Sequence, residues 1–370
     1  MKVNSWSLLA LTLLATTLSF GQAKKFKIHT VAFYNVENLF DTIKGPNFDE
    51  EWLPNGAQGW NSAKYNKKLG LLSKVIPEIG TNDQQKESPV VVGVTEVENR
   101  GVLEDLVKTP NMIKHNYGVV HFDSPDKRGI DVGFLYKKDK FTPISYKNIP
   151  LYIYQGMETK NVKITVGEDN EATNNINVDV NTKRVYTRDQ LLVTGILEGE
   201  EVHFIVNHWP SRSGGEKRSS PFREAAGKLN RKIIDSLYAI NPDAKVMTMG
   251  DMNDGPYNKS ITTSLGAVGD RNNVVKGGLY NPMYQMHKEG LGTLAYRDAW
   301  DVFDQIIISE PLTRKDDYSS LRYWKAGIYD KDYLKQKSGQ YKGYPLRNSN
   351  GEPGYSDHFP VYIYLLKEIK

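Results

Sequence analysis

Asp357 and His358 stand side by side just before the apolar run Val361-Tyr362-Ile363-Tyr364-Leu365-Leu366. An acid next to an imidazole can exchange a proton or hold a metal ion. The β-branched and aromatic run behind the pair predicts a strand, which leaves the pair on its feeding loop. The same arrangement recurs along the chain. Asn35 follows Phe33-Tyr34, Glu96 follows Val91 to Val94, and Asn207-His208 follow Phe204-Ile205-Val206. Asp251 and Asn253 follow Met249-Gly250, and Asp304 lies just before Ile306-Ile307-Ile308. Taken singly, an Asn or Asp at a strand end is a turn former. Here every such run delivers a carboxylate, amide or imidazole to a terminus. A sheet can bring these termini to one edge, concentrating acid–base and metal-ligand chemistry in a cleft.

The elements that must position these groups are legible in the hydrophobic pattern. Strands are expected at 28–34, stopping at Asn35, and at 89–94, a valine run suited to burial on both faces that empties into Thr95-Glu96. A polar loop over 42–61 leads into a helix at 62–79, where Leu69, Leu72, Val75, Ile76 and Ile79 form a stripe. A second helix is expected at 99–108. Strands at 117–122 and 130–136 flank the turn-rich 123–129, and a polar loop or β-excursion is expected over 167–182. A hairpin pairs 190–197 with 201–206 around Glu198-Gly199-Glu200. A basic, Gly- and Ser-rich loop at 211–220 opens a long amphipathic helix ending near Leu237. Strands at 244–249, 302–309 and 361–366 complete the set. No repeat or Pro/Ser-rich linker divides the chain, so residues 22–370 read as one α/β domain, a sandwich with mixed sheets.

Bulk properties bound the function. The 370 residues are 39% hydrophobic and 25% charged, with a net charge of only +4. That excludes a protein coated in positive charge, so any polyanion must bind in a local basic cleft. Lys2, the apolar stretch 8–20 and small residues at Ser19 and Gly21 read as a secretory signal over 1–21, cleaved before Gln22. The absence of cysteine excludes a lipoprotein attachment, disulfides and a thiolate zinc site. No other segment approaches a membrane span, so no stable membrane association is expected after cleavage. The last predicted strand lies close to the end of the chain, which would leave no room for a C-terminal sorting domain and favours the periplasm over the medium. A monomer is expected.

The motifs, in order, are Y-N-V-E-N-L-F at 34–40, V-T-E-V at 94–97, V-N-H-W-P-S at 206–211, G-D-M-N-D at 250–254, W-D-V-F-D-Q-I-I-I-S at 300–309 and Y-S-D-H-F-P-V at 355–361. The ordered set resembles the endonuclease/exonuclease/phosphatase superfamily, the fold of deoxyribonuclease I, over nearly the whole mature chain. The resemblance implies a four-layered α-β-β-α sandwich of two mixed sheets flanked by helices. It implies that Asn35 and Glu96 help hold a divalent ion, Mg²⁺ or else Mn²⁺ or Ca²⁺, with Glu96 as direct ligand and Asp357 ligating that ion or a second one. His358 would face the scissile phosphate, with Asp304 orienting its ring. Asp251 would position or deprotonate the attacking water, and Asn253 would hydrogen-bond the phosphate. His208 would be a candidate general acid for the leaving oxygen, although which histidine donates stays open at this level.

Substrate-binding candidates are Arg128, Asn207, Arg188 and Arg212, since phosphodiester binding calls for guanidinium forks. Asp131 departs from the resemblance and reads as a functional group or as a buried partner for Arg128 or Arg188. The segment His208-Trp209-Pro210-Ser211-Arg212 particularly resembles bacterial extracellular nucleases, so the expected activity is a DNase-type phosphodiesterase. A phosphomonoesterase, or a phosphodiesterase for sphingomyelin or inositol lipids, would use the same chemistry. A non-catalytic binding protein would be expected to have lost Glu96, Asp251, His208 or His358, and all four are present.

Overall fold

Residues of the first strand are buried alternately on two sides. Val31 and Phe33 enter one core while Ala32 and Tyr34 enter another. The same split separates Val91 from Val92. Such strands have no solvent face, so each sheet must be covered on both sides.

The computed structural model describes residues 25–160 and 175–369. Its early elements are β1 (Phe26–Leu39), α1 (Ser62–Val75), β2 (Val91–Val97), α2 (Arg100–Lys108), β3 (Tyr117–His121), β4 (Asp131–Lys137) and β5 (Phe141–Ile149). The middle holds β6 (Ile153–Tyr154), β7 (Arg184–Val185), β8 (Gln190–Leu197), β9 (Glu200–His208), α3 (Glu216–Ile240) and β10 (Lys245–Asp251). Then come β11 (Ala267–Val268), β12 (Leu279–Tyr280), α4 (Met283–Lys288), β13 (Leu294–Tyr296), β14 (Ala299–Asp301), β15 (Asp304–Ser309), α5 (Glu310–Thr313), β16 (Arg322–Ile328) and β17 (Val361–Glu368). A 6-stranded sheet runs β16-β17-β1-β2-β4-β3, and a 7-stranded sheet runs β11-β12-β15-β10-β9-β8-β5. Both are mixed: β1 is parallel to β2 and antiparallel to β17, and β9 is parallel to β10, which is antiparallel to β15.

The core between the sheets is built from residues such as Phe33, Phe134, Phe204, Met249 and Ile306. Leu69 and Leu72 of α1 and Leu103 and Leu106 of α2 cover the outer face of the first sheet. Ala226, Ile233 and Ile234 of α3 cover Ile205, Val246 and Ile307 of the second. This is the expected four-layered sandwich. The sheets approach so closely that a Cβ added at Gly93 would lie 2.7 Å from Met249 Sδ. Asn61 caps α1 and Asn99 caps α2, each accepting a hydrogen bond from the third residue on.

Several boundaries differ from the sequence reading. β1 continues past Asn35, and the helix expected to reach 79 turns into a 3₁₀ turn at Ile76–Glu78, where Pro77 cannot donate to an α-helical ladder. β5 and β16 have no counterpart among the expected strands. Only Phe141 of β5 is buried and Pro143 interrupts it, which an edge strand tolerates. The expected signal over 1–21 lies outside the described residues, as does the first half of the polar segment 167–182, whose described half begins with a 3₁₀ turn at Asn175–Asn177. Among the described residues no helix is long and apolar enough to cross a membrane.

Candidate active site

Strand register assembles half of the site. β9, β10 and β15 lie side by side, with His208 opposite Asp251 and Asp251 opposite Asp304. The first sheet supplies Asn35 and Glu96 from its parallel pair β1 and β2, and the loop feeding β17 supplies Asp357 and His358. Both strands of that pair are irregular here. Register shifts occur between Asn35 and Leu39 and between Thr95 and Val97, and Glu96 itself has φ +62°. A bulge of this kind re-aims a side chain out of the alternation of a regular strand. Asn253 (φ +50°) is likewise left-handed, which costs a non-glycine residue about 1 kcal/mol and so has to be held by its surroundings. Gly250 must be glycine for a different reason: a Cβ there would stand 2.3 Å from the Asn207 carbonyl.

The side chains converge on one carboxylate. Asp251 Oδ2 accepts a hydrogen bond from Asn35 Nδ2 at 3.1 Å and lies 3.7 Å from His208 Nε2 and 3.8 Å from His358 Nε2. Its other oxygen accepts the Asn253 N–H at 2.9 Å. Asn35 Nδ2 also donates to Glu96 Oε1 at 2.9 Å, and the Asn38 N–H donates to Glu96 Oε2 at 3.1 Å. Asn35 Oδ1 accepts the Glu37 N–H at 3.0 Å, which fixes the amide with its nitrogen toward the acids. Asn35 thus faces the cluster as a donor that orients two carboxylates. The Ser356 hydroxyl donates to the Asn35 carbonyl at 2.7 Å and accepts the His358 N–H at 3.0 Å, tying the Asp357-His358 loop to β1.

Burial, then the nearby Asp357 charge, push Glu96 up to about 7. Burial is also the main reason that Asp251 rises to about 6, with His358 pulling the other way. The two histidines part company. Burial opposes charge on His358, but Asp304, whose Oδ2 lies 2.6 Å from Nδ1, and then Asp251 outweigh it and hold the ring well above the usual histidine value. His208 is held well below that value by burial and then by Arg188 and Arg128, and its Nδ1 is buried without a hydrogen-bond partner. The surroundings thus bias the two rings in opposite directions, His358 toward its charged form and His208 toward its neutral form.

The expected substrate-binding residues divide as well. Arg128 forks onto Asp126 at 3.1 and 2.8 Å, and Arg188 spans Asp126 and the His208 and Trp209 carbonyls. Arg212 donates to the Asn253 carbonyl at 3.0 Å and lies over the Phe303 ring. All three line the cleft. Asn207 does not. It is completely buried, its amide nitrogen is spent on the Ile205 and Met249 carbonyls and the Thr248 hydroxyl, and its oxygen accepts from Trp209 and Asn230. Asn207 therefore joins β9 to β10 and α3. The buried partner of the arginines is Asp126, whereas Asp131 binds Ser124 and faces His121.

Sequence reading also missed a group behind the acids. Glu37, raised to about 8 by burial and then Asp357, accepts the Asn348 N–H and faces Arg347, whose guanidinium also lies 3.5 Å from Asp357. Lys68, wholly buried in α1, donates to Asn348 and to the Gly354 and Tyr355 carbonyls. Glu37 falls inside the quoted 34–40 motif, which was a usable signal. Lys68 and Arg347 carried none.

The residues present fit a hard divalent cation. Glu96 and Asp251 bring carboxylate oxygens within 4.8 Å of each other, and Asp357 Oδ1 is buried without a hydrogen-bond partner. Carboxylates crowded enough to raise one another's protonation constants are what a cation would relieve. The cluster opens into a cleft of about 1370 Å³ whose walls include Phe40, Trp52, Tyr257, Tyr296, Trp300 and Phe303.

The chain is thus a mixed α-β-β-α sandwich with a carboxylate–histidine cluster at one end of both sheets. The chain belongs to the Endonuclease/Exonuclease/phosphatase family, whose model matches residues 30–176 and 163–367. Members of this family hydrolyse phosphate esters, typically with a divalent metal. Among solved structures, the chain is similar to an endonuclease/exonuclease/phosphatase family protein from Bacteroides thetaiotaomicron (15% identity, TM-score 0.53, covering 94% of this chain and 98% of that one). It is also similar to truncated TDP2 from Caenorhabditis elegans (13% identity, TM-score 0.51, covering 91% and 97%). At these identities the likeness is one of fold. No curated protein matches the sequence.

Proposed function

We propose that this protein is an exported, Mg²⁺-dependent phosphodiesterase that hydrolyses nucleic acid, with DNA as the primary substrate. The observation that carries the reading is the position of Asp251 Oδ2, between the Asn35 amide and the two histidine Nε2 atoms. A carboxylate with its proton affinity raised to about 6 is poised to orient and deprotonate a water near neutral pH. His358, buttressed by Asp304, is biased toward its protonated form and stands beside that carboxylate, placed to give a proton. This favours His358 over His208 as the acid for the leaving oxygen. His208, neutral, is assigned a hydrogen bond to the phosphate, together with Asn253. Glu96 and Asp357 would hold Mg²⁺, which when bound supplies charge stabilisation to the phosphate.

Nucleic acid is favoured over a phosphomonoester or lipid by the walls of the cleft. They carry both aromatic rings and Arg128, Arg188 and Arg212, which suits bases and a phosphate backbone together. Export rests on the pattern of residues 1–21 and predicts a mature protein beginning at Gln22.

The test is incubation of the mature protein with supercoiled plasmid. Mg²⁺-dependent nicking that EDTA and His358→Ala both abolish supports the proposal. An intact plasmid, with metal-dependent phosphate release from small monoesters, overturns it in favour of a phosphatase.

A further inference from the structure

His121 ends β3 and Asp131 begins β4, so the hairpin brings both to the base of the loop 123–129. Their side chains are only 2% and 3% exposed. His121 Nε2 lies 3.3 Å from Asp131 Oδ2 yet makes no hydrogen bond. A buried imidazole nitrogen left without a partner is costly. The separation is close to the edge of a tetrahedral site, in which ligand atoms about 2.0 Å from a shared ion stand roughly 3.3 Å apart.

Two further features fit an ion. Asp131 Oδ1 accepts both the backbone N–H and the hydroxyl of Ser124, which holds the carboxylate with Oδ2 toward His121. Fixing a ligand from behind in this way is how metal sites set orientation. Asp123 brings an oxygen to 3.8 Å from the other ring nitrogen, Nδ1, and one ligand atom from each of the three residues lies within 4.8 Å of the others. Its side chain is exposed, so a site here would be open to solvent, and Asp123 would have to turn toward Nε2 to share an ion with Asp131.

We propose that His121, Asp123 and Asp131 form a second divalent-cation site, outside the catalytic cluster, for a borderline ion such as Zn²⁺. Two carboxylates and a neutral imidazole balance a 2+ charge. One nitrogen with two oxygens suits Zn²⁺, whereas Mg²⁺ and Ca²⁺ prefer all-oxygen shells. The loop above this site carries Asp126 and Arg128, which line the cleft. A bound ion would therefore brace the arginine wall and take no part in the chemistry.

The experiment is Zn²⁺ binding, measured by competition with a chromogenic chelator. It uses Glu96→Gln, which cripples the catalytic cluster, and that variant combined with His121→Gln or with Asp123→Asn. The proposal predicts one Zn²⁺ retained by Glu96→Gln, undisturbed by excess Mg²⁺. Binding is lost with His121→Gln and weakened about tenfold or more with Asp123→Asn. Asp123 is exposed, so its variant decides the matter even if His121→Gln fails to fold. No zinc on Glu96→Gln, or equal affinity with and without Asp123→Asn, overturns the site and leaves a plain histidine–aspartate pair.

Discussion

The two ends of β9 carry charge in opposite ways. At its start, Glu200 accepts from Lys245 at 2.8 Å, Lys367 at 2.7 Å, Ser320 at 2.6 Å and the Leu321 N–H at 3.0 Å. Burial opposes that charge, but Lys245, Lys367 and Ser320 outweigh it and hold Glu200 at about 2. At its end, His208 faces Asp251, and the nearby acids are raised instead of lowered. The same strands β9, β10 and β17 run between these ends. One end saturates a single acid with two cations and fastens the sheets together. The other buries several acids close together, a cost that the proposed metal and phosphate would relieve. Stability and function are thus segregated along the strand axis.

Asp251→Asn should break the contrast most sharply. It should cut kcat by about a thousandfold, or about 4 kcal/mol in the barrier, without lowering the melting temperature, because it removes a buried charge. A melting temperature that falls along with activity would place Asp251 among the structural acids. Asp304→Asn should cost about a hundredfold and shift the pH profile. Folding raises the His358 value, so its cation is lost only as pH rises through that raised value. Without Asp304 the alkaline limb should move to lower pH. An unmoved limb would mean that His358 does not set it.

Glu200→Gln should do the reverse, destabilising by about 2 kcal/mol after allowance for partial exposure, with kcat unchanged. Because folding depresses this acid, its contribution is full above the ordinary glutamate value and lost as pH falls from about 4.5 toward about 2. Wild type and variant should therefore converge in urea denaturation at the acid end of that window. Asp126→Asn is the mildest change. It loosens the fork on Arg128 and the contact to Arg188 and should raise KM several-fold at constant kcat, measured on a short oligonucleotide.

Much of this was legible from sequence where local pattern decides. The β2 valine run, the α1 and α2 stripes and the strands ending at His208 and Asp251 announce themselves, because burial on both faces leaves continuous apolar runs. The cluster Glu96, His208, Asp251, Asp304 and His358 could be read because each member ends or begins such a run. What was not legible depends on distant contacts. The sequence offered Asp131 as a buried partner for Arg128 or Arg188, and only the fold shows that the partner is Asp126. Asn207 has the composition of a site residue but points into the sheet, since its neighbour His208 takes the cleft side of the alternation. Lys68 looks like any solvent-facing helical lysine until the loop at 348–355 covers it.

The most direct test of the account is the Mg²⁺ dependence of diester hydrolysis in wild type, Glu96→Gln and Glu200→Gln, read as the Mg²⁺ concentration giving half-maximal rate. Glu96→Gln should raise that midpoint about tenfold or more, while Glu200→Gln leaves it at the wild-type value. Equal midpoints for Glu96→Gln and wild type would contradict the assignment of the crowded end as the metal-binding centre.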